Sequence, residues 1–201
     1  MKHPIRQVLP AFVVLCLVSG TPLAQQYAEE SRTVPEFSAV EVGGKAVVYM
    51  HEGTEEEVRI RASGIPISDI RTEVVDSELK VYTVGRHSGE DIQVHVTFDN
   101  LTQIFAKDSA EVHFDGEFYT ESLIVRTEDV SEITGVNVSA NTVDVSINGA
   151  GNANLEIDAD LLRIAMRDSG DLTVSGVAQR KEIESISSNG TFYDQSLEII
   201  E

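Results

Sequence analysis

Small polar triplets recur along the second half of the chain at a constant interval, and that interval limits the architectures open to it. Asp108-Ser109-Ala110, Glu128-Asp129-Val130, Asn148-Gly149-Ala150, Asp168-Ser169-Gly170 and Ser188-Asn189-Gly190 each begin 20 residues after the last. Most are suited to tight turns or to positive φ; Glu128-Asp129-Val130 is the weakest copy. Alternating apolar runs lead into the middle corners: Leu123/Val125, Val143/Val145/Ile147 and Leu162/Ile164/Met166. Another apolar position follows each corner: Val112, Ile133, Leu155, Leu172 and Phe192. Strand, corner, strand at a period of about 20 residues marks a solenoid coil. A single coil cannot cover its own apolar face, whereas stacked coils pair laterally and pool their inward side chains into one core. The expected fold class is all-β: a stacked-coil, parallel β-helix-like solenoid with about 20-residue repeats and irregular N-terminal strands. An antiparallel sandwich, with strands recurring every 8–12 residues or so, is the alternative that the regular corner spacing disfavours.

The side-chain inventory agrees. From Gln25 onward there are 21 Val, 15 Ile and 12 Thr against 8 Leu. β-Branched side chains are stiff at χ1 and suit a pleated surface better than a helix. Beyond Pro66 there is no proline, as suits a ladder that uses every backbone N–H. In the first half, Val40 to Val48, Val58 to Ala62, Ile70 to Val75, Glu78 to Tyr82 and Ile92 to Phe98 read as strands separated by turn sequences. No linker rich in Pro, Gly or Ser divides the halves. Residues 25–201 are therefore expected to form one domain, with irregular strands over 34–98 covering one end of the stack and repeat coils over 101–195.

Residues 1–24 read as an export signal. Lys2 and Arg6 precede an apolar run from Val8 to Val18, and small residues lead to a cut after Ala24, with Gly20 as the other candidate. The run is shorter than the roughly 20 residues a membrane helix needs, and no later stretch is long and apolar enough to span. Cys16 follows Leu15 inside the apolar core, which is the wrong context for a lipid-acceptor cysteine, so the mature chain is expected to hold no cysteine and no thiol chemistry. Removing residues 1–24 takes away two basic residues and no acid, leaving a net charge of −21 against −19 for the whole chain. A nucleic-acid partner is excluded on that charge, because a phosphate backbone requires clustered Lys and Arg.

The order of short motifs resembles the head GIN domain family, whose members carry the label of auto-transporter adhesins. Phe37, Val40, Val42 and Gly44, then Val47 to Tyr49, His51-Glu52-Gly53 and Val58-Arg59-Ile60 are similar to the family's opening. Ser77-Glu78-Leu79-Lys80-Val81 and Leu101-Thr102-Gln103-Ile104 resemble its next landmarks. The Gly-containing corners at Asn148-Gly149-Ala150-Gly151, Asp168-Ser169-Gly170 and Ser188-Asn189-Gly190 resemble its repeats. Two corners depart by lacking glycine, Asp108-Ser109-Ala110 and Glu128-Asp129-Val130. The resemblance implies a stacked β-helix-like architecture in exported bacterial proteins and supplies no catalytic residues. An auto-transporter barrel would need many further strands; the chain reads as a passenger without one.

No familiar catalytic constellation is legible. His51, His87, His95 and His113 are not at ligand spacing, and His95, between Val94 and Val96, is expected to point outward into water. The carboxylate groups Glu55-Glu56-Glu57, Glu90-Asp91, Glu128-Asp129 and Asp158/Asp160 are expected by chance among 34 acids and read as solvated edges. Gly149 to Leu155 faintly resembles a calcium-binding nonapeptide, but with Asn where Asp is wanted and no stacked copy; Asn148, Asn152 and Asn154 read instead as turn residues. The expectation is no catalytic, cofactor-binding or metal residues and no cofactor. Tyr119 and Tyr193 are candidates for stacking on sugars or for capping the core, and Arg163/Arg167 and Arg180-Lys181 are the only candidate basic patches.

The function expected from these readings is an exported, non-catalytic binding or adhesion-type domain at the bacterial envelope. It would be periplasmic or associated with the cell surface, with a glycan or protein ligand. The alternatives are a carbohydrate-active β-helix enzyme, lyase or hydrolase, and a structural envelope protein that self-associates through its coil ends. The leader reading makes one direct prediction: the exported protein begins at Gln25. Intact-mass measurement of the secreted material checks it, and a mass that retains Lys2 and Arg6 overturns it.

Overall fold

Val125, Val145 and Ile164 lie one above another in neighbouring parallel strands. All three are dry, at 0%, 3% and 1% exposure. They belong to β10 (Glu117–Thr127), β11 (Glu132–Ile147) and β12 (Asn152–Met166), which with β13 (Asp171–Ser185) and β14 (Thr191–Ile199) form a parallel stack. The structure, a computed structural model, describes residues 27–200. The export-signal reading of residues 1–24 lies outside the described residues. The preceding strands are β1 (Ala28–Thr33), β2 (Ala39–Val42), β3 (Val47–Glu52), β4 (Glu57–Ser63), β5 (Ile70–Val75), β6 (Glu78–Thr83), β7 (Asp91–Phe98), β8 (Gln103–Ala106) and β9 (Glu111–Asp115). A single 3-10 turn spans Ile67–Asp69.

β7, β11 and β12 alternate buried and outward residues along most of their length, as the period-2 pattern requires, whereas β1 has no buried residue and β13 has none beyond Ala178. Their inward sides fuse into one hydrophobic cluster running from Phe37 to Ala178. The Val125 column also extends back through Ile104 and Val40 to Leu79, all fully buried. It ends at Ile183, which pairs with Ile164 but is 48% exposed because β14 does not extend over this half of β13.

The corners are held by a column of left-handed residues. Gly44, Asp108, Asp129, Gly149 and Asp168 have φ of 79°, 60°, 59°, 81° and 70°. In each level the N–H of the following residue donates to the carbonyl of the left-handed residue one level away: Ser109 to Gly44, Val130 to Asp108, Ala150 to Asp129 and Ser169 to Gly149. The corners without glycine thus keep the same geometry, using aspartate, which tolerates the left-handed region better than most side chains. Asp108 adds a direct bond, its Oδ2 accepting from the Gly44 N–H at 2.9 Å. Two residues on, a second column of small buried residues runs through Ala46, Ala110, Ser131, Gly151 and Gly170. A Cβ on Gly170 would stand 2.1 Å from the Gly151 carbonyl oxygen. Larger side chains would push the levels apart.

The first half does more than cover an end. Val40 to Val48 is not one strand; Gly44 breaks it into β2 and β3, which enter the stack beside β8 and β9. On their other side lie β6 and β7, also parallel. The level built from β2 and β3 therefore sits between one formed later in the chain, β6–β7, and the next, β8–β9. β4 and β1 add antiparallel strands beyond β7, and β5 adds one beyond β6. The β5–β6 hairpin turns on Asp76 and Ser77, both left-handed at φ 52° and 61°, the conformation that two-residue hairpins favour.

The columns predict unequal costs for equal truncations. Ile164→Ala should lose about 2–5 kcal/mol of unfolding free energy, whereas Ile183→Ala at the uncovered end should lose about 1 kcal/mol or less. Urea denaturation of both variants checks this. Equal losses would mean that the two isoleucines do not occupy the end and the interior of one column.

Candidate functional site

Stacking arranges the outward side chains into rows that cross the strands, and these rows define three surfaces. The first carries the rings. Arg59, His95, Tyr49, His113 and Thr134 occupy successive positions across β4, β7, β3, β9 and β11. Tyr49 stacks on His95 with centroids 4.9 Å apart and lies 5.4 Å from His113, while His51 stacks on His95 at 5.9 Å. His113 shares a 2.7 Å hydrogen bond between its Nδ1 and Thr134 Oγ1. Glu29, Glu57, Arg61 and Thr97 complete a shallow hollow beside His51 and His95. His95 points outward, as its flanking valines imply, but it is half-buried between rings rather than solvated. Burial lowers its pKa below the ordinary 6.5, and the nearby charges of His51 and Arg59 lower it further. His87 lies apart, with its Nε2 at 2.9 Å from the Val84 carbonyl oxygen.

The second surface is acidic. Glu117, Asn137, Glu156, Ser175 and Ser196 form one row and Tyr119, Ser139, Asp158, Val177 and Glu198 another. Neither row contains a lysine or arginine. Tyr119 is 65% exposed here, so it does not cap the core; Tyr193 is exposed as well. Asp158 and Asp160 are solvated, and Asp160 accepts a hydrogen bond from Gln179. Among the described residues no three His, Cys, Asp or Glu side chains gather to hold a metal ion. Of the asparagines in the Gly149 region only Asn148 stands at the corner, donating toward Ser146, whereas Asn152 and Asn154 lie in β12, where the Asn152 side chain accepts from the Asp171 N–H at 3.0 Å.

The third surface sets three arginines among acids. Arg126, Ser146 and Ala165 are neighbours across β10, β11 and β12. Arg163 and Arg167 flank Ala165 along the chain, and the Arg167 N–H remains in the ladder through the Ile147 carbonyl. Together with Asp144, Glu128 and Glu184 these residues line an open trough of about 670 Å³. Arg163 is held by Glu182 at 3.2 Å and by Asp144 at 3.4 Å, and both contacts raise its pKa. Arg126 and Arg167 have no ion-pair partner among the described residues. The Arg126 guanidinium sits 5.6 Å from the ring centroid of outward-facing Phe105. Nearby, Glu41 bridges Lys80 and Lys107. Burial pushes the Glu41 carboxyl up, but the hydrogen bond and charge of Lys107, with Lys80, outweigh it and hold the group below its usual value. Arg180 and Lys181, the other basic pair in the sequence, are engaged by Glu182 and Asp194.

The described "Putative auto-transporter adhesin, head GIN domain" family matches residues 36–199. The chain belongs to the head GIN domain family. No curated protein matches it. Among solved structures, one called a putative adhesin, from Parabacteroides distasonis ATCC 8503, is similar at TM-score 0.79 and 16% identity, over 86% of this chain and 74% of that one. A second putative adhesin, from Parabacteroides merdae ATCC 43184, is similar at TM-score 0.78 and 16% identity, over 87% of this chain and 76% of that one. A third structure, called a putative lipid binding protein, also from Parabacteroides distasonis ATCC 8503, is similar at TM-score 0.75 and 13% identity, over 85% and 74%. At these identities the likeness establishes a shared head GIN fold. Among the described residues no helix is long and apolar enough to cross a membrane.

Sequence spacing concealed both gatherings. His51, His95 and His113 belong to three strands whose adjacency follows from the out-of-order levels, and Arg126 is 37 positions from Arg163 yet only two strands away. The ladder has a pH consequence. Because the folded-state pKa of His95 is depressed, the neutral ring's contribution is complete above the free-imidazole value of 6.5 and is lost as pH falls through the lower folded value. Glu41, depressed from 4.5, acts only in a more acidic window. The denaturation midpoint should therefore drop between about pH 7.5 and about pH 5. His95→Phe, which keeps a ring between Tyr49 and His51, should shrink that drop. An unchanged drop in the variant would remove His95 from the account.

Proposed function

We propose that this head GIN protein is an exported, non-catalytic binding domain of adhesion type that holds an envelope or extracellular ligand against a rigid outer face of its solenoid. One observation carries the reading most: Arg126 and Arg167 stand in one trough, two strands apart and without ion-pair partners among the described residues, in a chain of 34 acidic and 15 basic residues. With acids in such excess, guanidinium groups left open on a fixed sheet are available to a ligand. Family membership supports the adhesion class, and the export signal read over residues 1–24 supports a place outside the cytoplasm.

A second reading has its own support. The C-terminal level leaves Ile183, Ile186, Ile199 and Ile200 exposed beside an edge strand, and uncovered edges favour strand pairing between chains. In that reading the protein assembles with itself in the envelope.

The test is capture of purified protein by envelope fractions and by glycan and protein arrays, with product analysis of every bound material and light scattering of the free protein. Saturable capture without turnover is expected. Failure to bind at any concentration counts against the binding reading, concentration-dependent oligomers in the absence of ligand favour the assembly reading, and released sugar or peptide favours an enzyme.

A further inference from the structure

We propose that the arginine trough is a binding site for a carboxylate-bearing polysaccharide, a proposal that rests on the binding-domain reading and names its ligand class. The trough has a floor and a rim. Ser146 and Ala165, two short side chains paired across β11 and β12, form the floor. Arg126 rises on the β10 side, next to Ser146, while Arg163 and Arg167 rise two residues before and after Ala165. At about 4.8 Å between strands and about 3.3 Å per residue, the rim positions are about 10–13 Å apart. That leaves a shelf wide enough for sugar rings between the guanidinium groups.

The chemistry of the shelf selects among anions. A guanidinium group is a planar fork that pairs a carboxylate, sulfate or phosphate through two parallel N–H bonds. A free phosphate is gripped best by forks that converge on one point, whereas these rise from backbone positions about 10–13 Å apart. Ser146 and Asn148 add hydroxyl and amide groups suited to sugar hydroxyls. Ile124, 36% exposed, and the outward ring of Phe105 add apolar surface on the same sheet face. Spaced positive charges, hydroxyl partners and apolar patches together fit a chain of sugars with one carboxylate on each ring.

The acids of the trough argue the same way. Asp144, Glu128 and Glu184 stand between and beside the arginines, and Glu182 holds Arg163 from the next strand. A densely anionic bilayer would be repelled by them and by the acidic surface around the corner. A single polymer strand can turn the carboxylates of every second or third ring toward the open guanidinium groups and keep the others in solvent, away from the acids. Arg163, already paired, sets the shelf's edge; Arg126 and Arg167 supply the open forks.

The experiment is affinity electrophoresis of the exported chain through gels containing polygalacturonate, dextran or no polymer, at low salt and with a chelator present to remove calcium bridging. Vesicles of phosphatidylglycerol and inorganic phosphate serve as competitors. Retardation by polygalacturonate and not by dextran is expected, weakening as salt screens the contacts. The double variant Arg126→Gln/Arg167→Gln should lose about tenfold or more in affinity, equivalent to about 1.4 kcal/mol. Arg86→Gln, at an exposed arginine outside the trough, should lose nothing. Circular dichroism confirms that the variants remain folded. The proposal is overturned by retardation that survives in the double variant, by an equal loss in Arg86→Gln, by equal retardation in dextran, or by competition from phosphate or vesicles at charge-matched concentration. If wild-type protein ignores polygalacturonate yet is captured by envelope fractions, the ligand class falls and the binding reading stands. If both fail, both fall.

Discussion

Lateral pairing of parallel backbone from one level to the next is the constraint on which the rest of the molecule depends. It works because five levels of the stack turn one corner in the same left-handed conformation at the same place. The left-handed residues Gly44, Asp108, Asp129 and Gly149 each offer a carbonyl to the adjoining level, Asp168 turns its corner in the same conformation, and the small residues beside them let the backbones close. Gly170 approaches the Gly151 carbonyl so nearly that not even a methyl group fits. Where the corners hold register, valine and isoleucine stack inside. A shift of one residue would turn every inward side chain to water.

The same register organises the outside. Residues one period apart become neighbours, so a short sequence preference repeated at each level becomes a surface property. Glu117, Glu156, Asp158 and Glu198 make one face acidic, while Arg126, Arg163 and Arg167 bring positive charge to another. The rings of Tyr49, His51, His95 and His113 fill a third. Apart from Arg167, one residue past the end of β12, these side chains stand on paired strands rather than on loops, and their mutual positions are set by strand spacing. A head GIN domain built this way presents a fixed array to whatever meets it, which suits recognition of an extended ligand more than enclosure of a small one.

The C-terminal half was largely legible from its residues, because a repeat states its own pairing: position n meets the position about 20 later, and Val125, Val145 and Ile164 did so. The first half carried no such rule. Its strands were recognisable by alternation, but β2 and β3 lie between levels formed by β6–β7 and β8–β9, and nothing local to Val40 or Val48 specifies its partners Leu79, Ile104, Val94 and Val112 far along the chain. Asp108 and Asp129 looked like defects among glycine corners and are functional equivalents of glycine in the left-handed region. The candidate site was the least legible part. Arg163 and Arg167 were visible as a pair, but Arg126 and the two short side chains that make the floor acquire their meaning only from cross-strand register.

The sequence by itself determined the secondary structure, the period and the inward columns, since alternation and corner chemistry are properties of adjacent residues and recur along the chain. It also determined membership in the head GIN family and an acidic composition that disfavours polyanionic partners in general. Tertiary structure alone decided the order of the N-terminal levels, the gathering of His51, His95 and His113 around Tyr49 and the open arginine trough. Those features depend on which strands lie side by side, and that choice is made by burial summed over the whole core rather than by any local stretch of residues.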